Sequence, residues 1–387
     1  MRSFEIFSGT GGLAKGLEAS GFKHAAFVEF NKHACLSLCK NFDNKRVFWG
    51  DIKDFDLDSV GHVDLVAGGP PCQPFSLGGK HRANNDNRDM FPYAIRSIEK
   101  LRPKAFVFEN VKGLLRPSFS DYFEYITLRL SFPSNKIAIG QDWKNHLANL
   151  RRLSEKKQAV TEYNVEYKLI NAADYGVPQT RERVFIIGIR ADLGVSYSFP
   201  KPLYSADRLL WEMFVTKEYY QRHNLQVPKR SEAMAVVKER IDYIKSRYGL
   251  FEPVHHPWRT VRDSLCNVPD PRTNHGIPDH IFRDGARVYA GHTGSELDWP
   301  AKTIKAGGHG VPGGENMIRY EDGSARYLTV FEAKRIQTFP DDFIIKGAWG
   351  EAMRQIGNAV PVILGEIIGR SIMHTLMAHN QTLKRAS

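Results

Sequence analysis

Cysteine is scarce in this 387-residue chain: Cys35, Cys39, Cys72 and Cys266 are the only four. Four cysteines in so long a chain cannot form a disulfide framework. Cys35 and Cys39 stand close to His33, but no second pair with zinc spacing follows, so they read as one face of a core helix and no metal is expected. There is no internal repeat and no low-complexity tract, which excludes solenoid and linker-dominated architectures. No unbroken apolar run of about 18 residues is seen, so no membrane span is expected. No cationic leader precedes the strand-like run Phe4-Glu5-Ile6-Phe7, so no secretory signal is expected, and a reducing, cytoplasmic compartment fits. Acid is the scarcer charge. Asp plus Glu is 43 against 54 Lys plus Arg, a net +11. That excess favours a polyanionic partner, because each cation that meets a phosphate releases a condensed counterion. A protein that is merely basic is the plainer reading.

A hydrophobic share of 42% is enough for a sizeable core. Apolar runs at Phe4–Phe7, Ala25–Val28, Val63–Ala67, Ala105–Phe108 and Val184–Ile189 read as buried strands. Amphipathic stretches at 13–20, 31–41, 91–101 and about 120–132 read as helices between them. This alternation predicts an α/β fold, a parallel Rossmann-like sheet with helices on both faces. Residues 134–160 turn polar and basic (Lys144, Arg151, Arg152, Lys156, Lys157), a solvated helical excursion or a phosphate-contacting segment. From about 191 prolines, histidines and arginines become dense and the alternation fades. Residues 191–325 therefore read as a smaller irregular domain, with 1–190 before it and a return segment, 326–387, after it. Periodicity resumes at Thr329–Gln337, and an apolar helix is expected from Val360 to about Met377.

Four constellations carry chemistry. The first, Phe7-Ser8-Gly9-Thr10-Gly11-Gly12, ends a strand and opens a helix, where glycines allow close approach and free amides favour an anion. Glu29 closes the next strand and can accept from ribose hydroxyls. Asp51, followed by Ile52, can hold an adenine amino group. Helix capping is the alternative for both carboxylates. The second is Gly68-Gly69-Pro70-Pro71-Cys72-Gln73-Pro74-Phe75-Ser76. Two prolines fix the backbone so that the thiol leaves the sheet's carboxyl edge in a defined direction. Such framing suits a nucleophile better than a buried structural cysteine. The third, Phe108-Glu109-Asn110-Val111, puts a carboxyl at the same edge, able when protonated to donate to a ring nitrogen while accepting from an exocyclic amine. The fourth is Gln179-Thr180-Arg181-Glu182-Arg183, leading into Val184–Ile189. Alternation puts Gln179, Arg181 and Arg183 on one face, where they can orient Glu109 and bind a carbonyl oxygen. A charged strand opening in water is the plainer reading.

In their order these segments resemble the cytosine-5 DNA methyltransferases of bacterial restriction–modification systems over nearly the whole chain. The likeness rests on Pro71-Cys72, Glu109-Asn110-Val111, Gln179 with Arg181 and Arg183, and Gln355-Ile356-Gly357-Asn358-Ala359-Val360-Pro361. It implies S-adenosylmethionine (AdoMet) as methyl donor, S-adenosylhomocysteine as product, and no metal. It also implies a catalytic set of Cys72, Glu109, Arg181, Arg183 and Gln179. Cys72 adds to carbon 6 of a flipped-out cytosine, Glu109 holds ring nitrogen 3 and the amino group, and Arg183 contacts the carbonyl oxygen. Phe7, Gly9, Gly11, Gly12, Glu29, Asp51, Ile52, Pro71 and Asn358 then surround AdoMet.

The resemblance further implies double-stranded DNA as partner, with Ser76–Phe91 as the loop over DNA and 191–325 as the target-recognition region. The DNA-contacting residues expected are Ser76, Arg88, Thr303, Arg259, Arg287 and Lys305. His255, His256, Arg262, Arg283, His292, Lys302 and His309 are further candidate readers. Thr303-Ile304 resembles the family's Thr-Leu pair, and the glycine-rich run 306–314 suits close approach to DNA. A monomer working alongside a restriction endonuclease is expected. The branch that methylates transfer RNA carries a Cys-Phe-Thr tripeptide that is absent here. An inactive DNA-binding homologue is disfavoured because cysteine and cofactor loop are both intact. A dehydrogenase is disfavoured because the loop is Gly-Thr-Gly-Gly.

Overall fold

The computed structural model describes residues 1–71, 89–156, 161–227, 233–249, 251–306 and 316–386. Seven strands form its main sheet: β1 (Arg2–Ile6), β2 (Lys23–Glu29), β3 (Val47–Trp49), β4 (Leu65–Gly68), β5 (Ala105–Val111), β6 (Tyr163–Asn171) and β7 (Glu182–Arg190). Their order is β3-β2-β1-β4-β5-β7-β6. The run from β3 to β5 is parallel throughout.

Helices α1 (Gly12–Ala19) and α2 (Lys32–Asn41) cover one face, and α3 (Phe91–Leu101), α4 (Ser120–Ser131) and α5 (Trp143–Glu155) the other. In α3 the buried Phe91, Ala94, Ile95 and Ile98 recur at helical spacing, with proline in the first turn where no amide is missed. Phe4, Ile6, Val66, Phe106 and Phe108 pack under α3 and α4, while Leu65, Ala67, Ala105 and Val107 pack under α1. Apolar residues on both faces explain why these strands read as continuous apolar runs.

The expected Rossmann-like sheet is present, and one strand departs from the parallel arrangement. β7 runs antiparallel to both β5 and β6. The chain passes from β5 through α4 and α5 to β6 at the sheet's edge, then turns back and fills the gap beside β5. β3 and β6 were not foreseen. β3 has three residues, and β6 alternates with one wet face, which hides it from a search for buried runs.

Within 191–325 the chain makes short pieces: β8 (Tyr204–Ser205), α6 (Ala206–Trp211), α7 (Glu218–Arg222), α8 (Ala233–Tyr248), β9 (His256–Pro257), α9 (Val261–Ser264), β10 (Ser295–Glu296), β11 (Met317–Arg319) and β12 (Ala325–Tyr327). α8, at 16 residues, departs from the expected irregularity. The chain then returns through α10 (Val330–Ile336), α11 (Trp349–Asn358) and α12 (Val362–Ala386). Val261, Ala301, Ile304 and Ile318 share one core with Ala333, Ile336 and Ile356, so packing continues across position 325.

The return region holds one segment that bears on the membrane expectation. Trp349–His379 is long and apolar enough to cross a membrane by length and composition, with mean hydropathy 1.3 over an 18-residue window, but 67% of that window is buried. α12 lies against α1 so closely that a β-carbon on Gly16 would stand 2.5 Å from the backbone nitrogen of Glu366. A core helix accounts for this segment.

Candidate active site

The carboxyl ends of β1 to β5 open on one cleft of about 840 Å³. It lies where strand order reverses between β1 and β4, the place at which doubly wound sheets receive ligands. Phe7, Gly9, Gly12, Glu29, Asp51, Ile52, Pro71, Glu109, Arg181, Arg183 and Asn358 all line it.

The loop after β1 is tightly held. Phe7, Gly9 and Gly11 all take positive φ, at 52°, 55° and 94°. For a phenylalanine that conformation costs energy, and such strain concentrates at functional sites. Gly12 opens α1 with no room for a side chain: a β-carbon there would lie 2.3 Å from the carbonyl oxygen of Val360. The return segment therefore closes directly on this loop. Gly11 is packed behind it against Phe42.

Glu29 stands at the end of β2. Its two oxygens accept from the Gly9 and Asn31 amides, each at 2.7 Å. Burial raises the pKa of this carboxyl, and the backbone donors from Asn31 and Gly9 pull it back. A carboxylate has about four lone-pair sites, so roughly two remain for hydroxyl donors. Asp51 accepts from the Lys53 amide at 3.0 Å, leaving its second oxygen within 3.8 Å of the Lys53 ammonium.

AdoMet fits these residues. The cleft has the volume of a small-molecule site. Glu29, Asp51, Glu109 and the buried Glu5 line it, and carboxyl groups suit a ligand that carries hydroxyl and amino donors. Thr10 also lines it, 1% exposed, with a buried hydroxyl oxygen that has no hydrogen-bond partner among the described residues. Sequence reasoning passed over Thr10, because a threonine between glycines reads as spacing. It also passed over Phe30, which is 74% exposed at the mouth of the cleft beside Glu29. An aromatic directly after Glu29, at the end of β2, was the available signal.

Glu109 lies near the carboxyl end of β5, and β7 supplies its partner. In the antiparallel register Val111 faces Arg183, and the Arg183 Nε lies 2.9 Å from the Glu109 Oε1. A parallel β7 would have put Arg183 at the opposite edge of the sheet. The reversed strand is therefore what brings the two together. Asn110, at the end of the same strand, donates to the carbonyl of Pro70 at 3.0 Å. It thereby anchors the segment that leads to Cys72. Cys72, Ser76 and Arg88 lie outside the described residues, as does nearly all of the glycine-rich run with His309.

Arg181 and Gln179 need a correction. β7 begins at Glu182, so the expected alternation does not extend back to them. Arg181 lines the cleft but is 1% exposed, donating to the Gly357 carbonyl at 2.8 Å. Burial and the neighbouring Arg183 push its pKa down to about 9, against the pull of Glu109. Gln179 is fully buried away from the cleft, bonded to Gln337 and to the Ile304 amide.

Among the expected DNA contacts, Arg259, Arg287 and Lys305 are exposed. The Thr303 hydroxyl donates to the Thr180 carbonyl at 2.8 Å. Arg262 is paired with Asp298, and Arg283 lies 4.6 Å over the Trp349 ring. Those two expected readers are therefore engaged within the fold. In the basic stretch Arg151 is bound by Glu124 and Asp121, which favours its structural reading.

Residues 1–132 and 144–374 match the C-5 cytosine-specific DNA methylase family. The chain is 29% identical over 382 residues to the type II methyltransferase M.NgoMIV of Neisseria gonorrhoeae, covering 98% of this chain and 99% of that protein. It is 33% identical over 388 residues to the type II methyltransferase M.PspPI of a Psychrobacter species, covering 97% and 79%. Its fold is similar to the crystal structure of the S. pombe Dnmt2 methyltransferase, with a TM-score of 0.57 at 16% identity over 98% of this chain and 99% of the other. The chain belongs to the C-5 cytosine-specific DNA methylase family and is an AdoMet-dependent DNA cytosine-5-methyltransferase.

Proposed function

We propose that Cys72, Glu109 and Arg183 carry the reaction of this methyltransferase on a cytosine swung out of duplex DNA, at a cost of roughly a few kcal/mol in unstacking and unpairing. The observation that carries the reading is the 2.9 Å pair between Arg183 and Glu109 at the mouth of the cleft that begins at Gly9 and ends at Pro71. Cys72, next to Pro71, adds as thiolate to carbon 6 of the ring, and the ring electrons move toward carbon 5. Glu109 holds nitrogen 3 and the exocyclic amine as charge develops there. Arg183 fixes the Glu109 carboxyl and faces the ring's carbonyl oxygen. Arg181 acts beside them by holding the Gly357 carbonyl. Bound AdoMet supplies the methyl group that joins carbon 5. Loss of the carbon 5 proton then expels Cys72 and restores the aromatic ring.

AdoMet is held by Phe7, Gly9, Gly11, Gly12, Glu29, Asp51, Ile52, Pro71 and Asn358, with Thr10 as an added donor. Residues 1–190 and 326–387 form the catalytic part, and 191–325 reads DNA through Arg259, Arg287, Thr303 and Lys305, with Ser76 and Arg88 from the loop before α3. The type II names of the relatives support a protective role beside a restriction endonuclease; the enzyme is taken to work as a monomer in a bacterial cytoplasm. Bisulfite sequencing of plasmid DNA from cells expressing the chain tests this directly. Protected cytosines within one short sequence are expected, and none with Cys72→Ser. Unmodified plasmid from cells making folded protein overturns the reading.

A further inference from the structure

Gln179 and Gln337 form a buried relay with one allowed polarity. The Gln337 side-chain amide donates to the carbonyls of Ile356 and Ala359, at 2.7 and 3.0 Å. Its oxygen accepts from the Gln179 amide at 3.1 Å. The Gln179 oxygen accepts from the backbone N–H of Ile304 at 3.2 Å. Both glutamines and Ile304 are fully buried. Amide orientation is ordinarily ambiguous, but here both ends of the chain fix it. Backbone carbonyls at one end only accept, and a backbone N–H at the other only donates. Glutamate lacks the donor, and asparagine is a methylene shorter.

The relay spans three parts of the chain. Ile356 and Ala359 flank Gly357 and Asn358, which border the cofactor cleft. Gln179 lies two residues before Arg181. Ile304 lies between Thr303 and Lys305. The same junction is closed by the Thr180 amide on the Ala301 carbonyl at 2.8 Å. At Gly357 a β-carbon would stand 2.6 Å from the backbone of Lys305 and Ala306. Recognition segment, arginine segment and cofactor edge are thus one hydrogen-bonded block.

We propose that Gln179 and Gln337 are positioning residues that set the recognition segment around Thr303 and Lys305 against the cofactor edge, so that sequence discrimination depends on this relay. The proposal rests on the reading that Thr303 and Lys305 meet DNA. Gln179 therefore acts through Ile304 and Gln337, without touching the cytosine. A buried network satisfied in one direction tolerates little change, because each lost partner leaves another polar group unpaired.

The test uses the full chain with Gln179→Met, Gln337→Met, the double variant, and Gln179→Glu. Active molecules are counted by covalent trapping on 5-fluorocytosine DNA, so that misfolded protein does not enter the rates. For Gln179→Met, AdoMet affinity by calorimetry is expected within about twofold of wild type. The ratio of kcat/KM between the preferred duplex and one with a single altered base is expected to fall roughly tenfold. The double variant should lose little more than the worse single one. Gln179→Glu should be poorer than Gln179→Met at pH 8 and recover toward wild type as the pH is lowered, because a protonated carboxyl regains a donor and an acceptor. Protonation would restore the hydrogen bonds of a merely structural glutamine too, so the readout that separates the roles is discrimination per trapped molecule. Unchanged discrimination per trapped molecule in Gln179→Met overturns the relay. A wild-type enzyme that methylates without sequence preference overturns the recognition reading and the relay with it.

Discussion

Glu109 and Arg183 meet because a carboxylate at the end of β5 and a guanidinium at the start of β7 share one edge of the sheet. Glu109→Gln keeps a donor and an acceptor but loses the ionisable carboxyl that, in the proposed mechanism, carries a proton at ring nitrogen 3. It is expected to lower kcat by about 100- to 10,000-fold in a radiolabelled methyl-transfer assay. Arg183→Lys keeps the charge and loses the planar fork, so kcat/KM should fall about tenfold or more while AdoMet binding holds. Arg181→Met leaves the buried Gly357 carbonyl without its donor and should cost about 3 kcal/mol of stability, seen in denaturant unfolding. Glu29 gives a pH signature. Burial holds its pKa above the ordinary 4.5, so on acidification it gains a proton sooner than an exposed carboxyl. AdoMet affinity should therefore weaken as pH falls, beginning above pH 4.5, and Glu29→Gln should flatten that slope. Its sign on apo stability is opposite. The folded chain holds this proton more tightly than the unfolded chain, so ionised Glu29 costs stability above 4.5, and the cost is relieved as pH falls through the folded-state pKa. That Phe7, Gly9, Gly12, Glu29 and Pro71 come together at one cleft was legible because the signals are local: glycines, a carboxylate and a proline frame at successive strand ends. The destination of Gln179 was not, since its partners Ile304 and Gln337 lie 125 and 158 residues away.

Whole elements were legible where both faces are apolar. β1, β4 and β5 and the helices α1 to α4 stand close to where periodicity puts them. Direction was not legible. Val184–Ile189 is an apolar run that reads identically whichever way the strand points, and only pairing with β6 turns β7 around. The placement of Arg183 beside Glu109 was thus expected for the right residues on the wrong geometry. The long apolar tail was read correctly as a helix, and its packing supplies a test at this scale. Gly16→Ala pushes a β-carbon into the backbone of α12 at Val362 and Glu366. It should cost about 1 to 3 kcal/mol and, because α12 follows Val360 at the cofactor loop, also weaken AdoMet binding. Gly350→Ala, where a β-carbon meets nothing within 4 Å among the described residues, is the control and should be neutral or slightly stabilising.

Over the whole molecule the excess of 54 basic over 43 acidic side chains remains the broadest statement about the partner. Many cations are tied up within the fold, including Arg151, Arg262, Arg326 and Arg335. In the proposed function the exposed Arg259 and Arg287 then have more of the phosphate binding to do. Affinity for duplex DNA should fall by roughly a hundredfold or more between 50 and 200 mM salt; a flat response in a filter-binding titration would contradict phosphate-dominated binding. The decisive measurement is covalent trapping. Purified protein is incubated with AdoMet and duplex DNA carrying 5-fluorocytosine at the methylated position, and the adduct is mapped by mass spectrometry. Fluorine cannot leave as a proton, so the account predicts a stable complex in which a methylated fluoropyrimidine is joined to the sulfur of Cys72. An enzyme that methylates ordinary cytosine yet forms no adduct, or forms one through another residue, would contradict it.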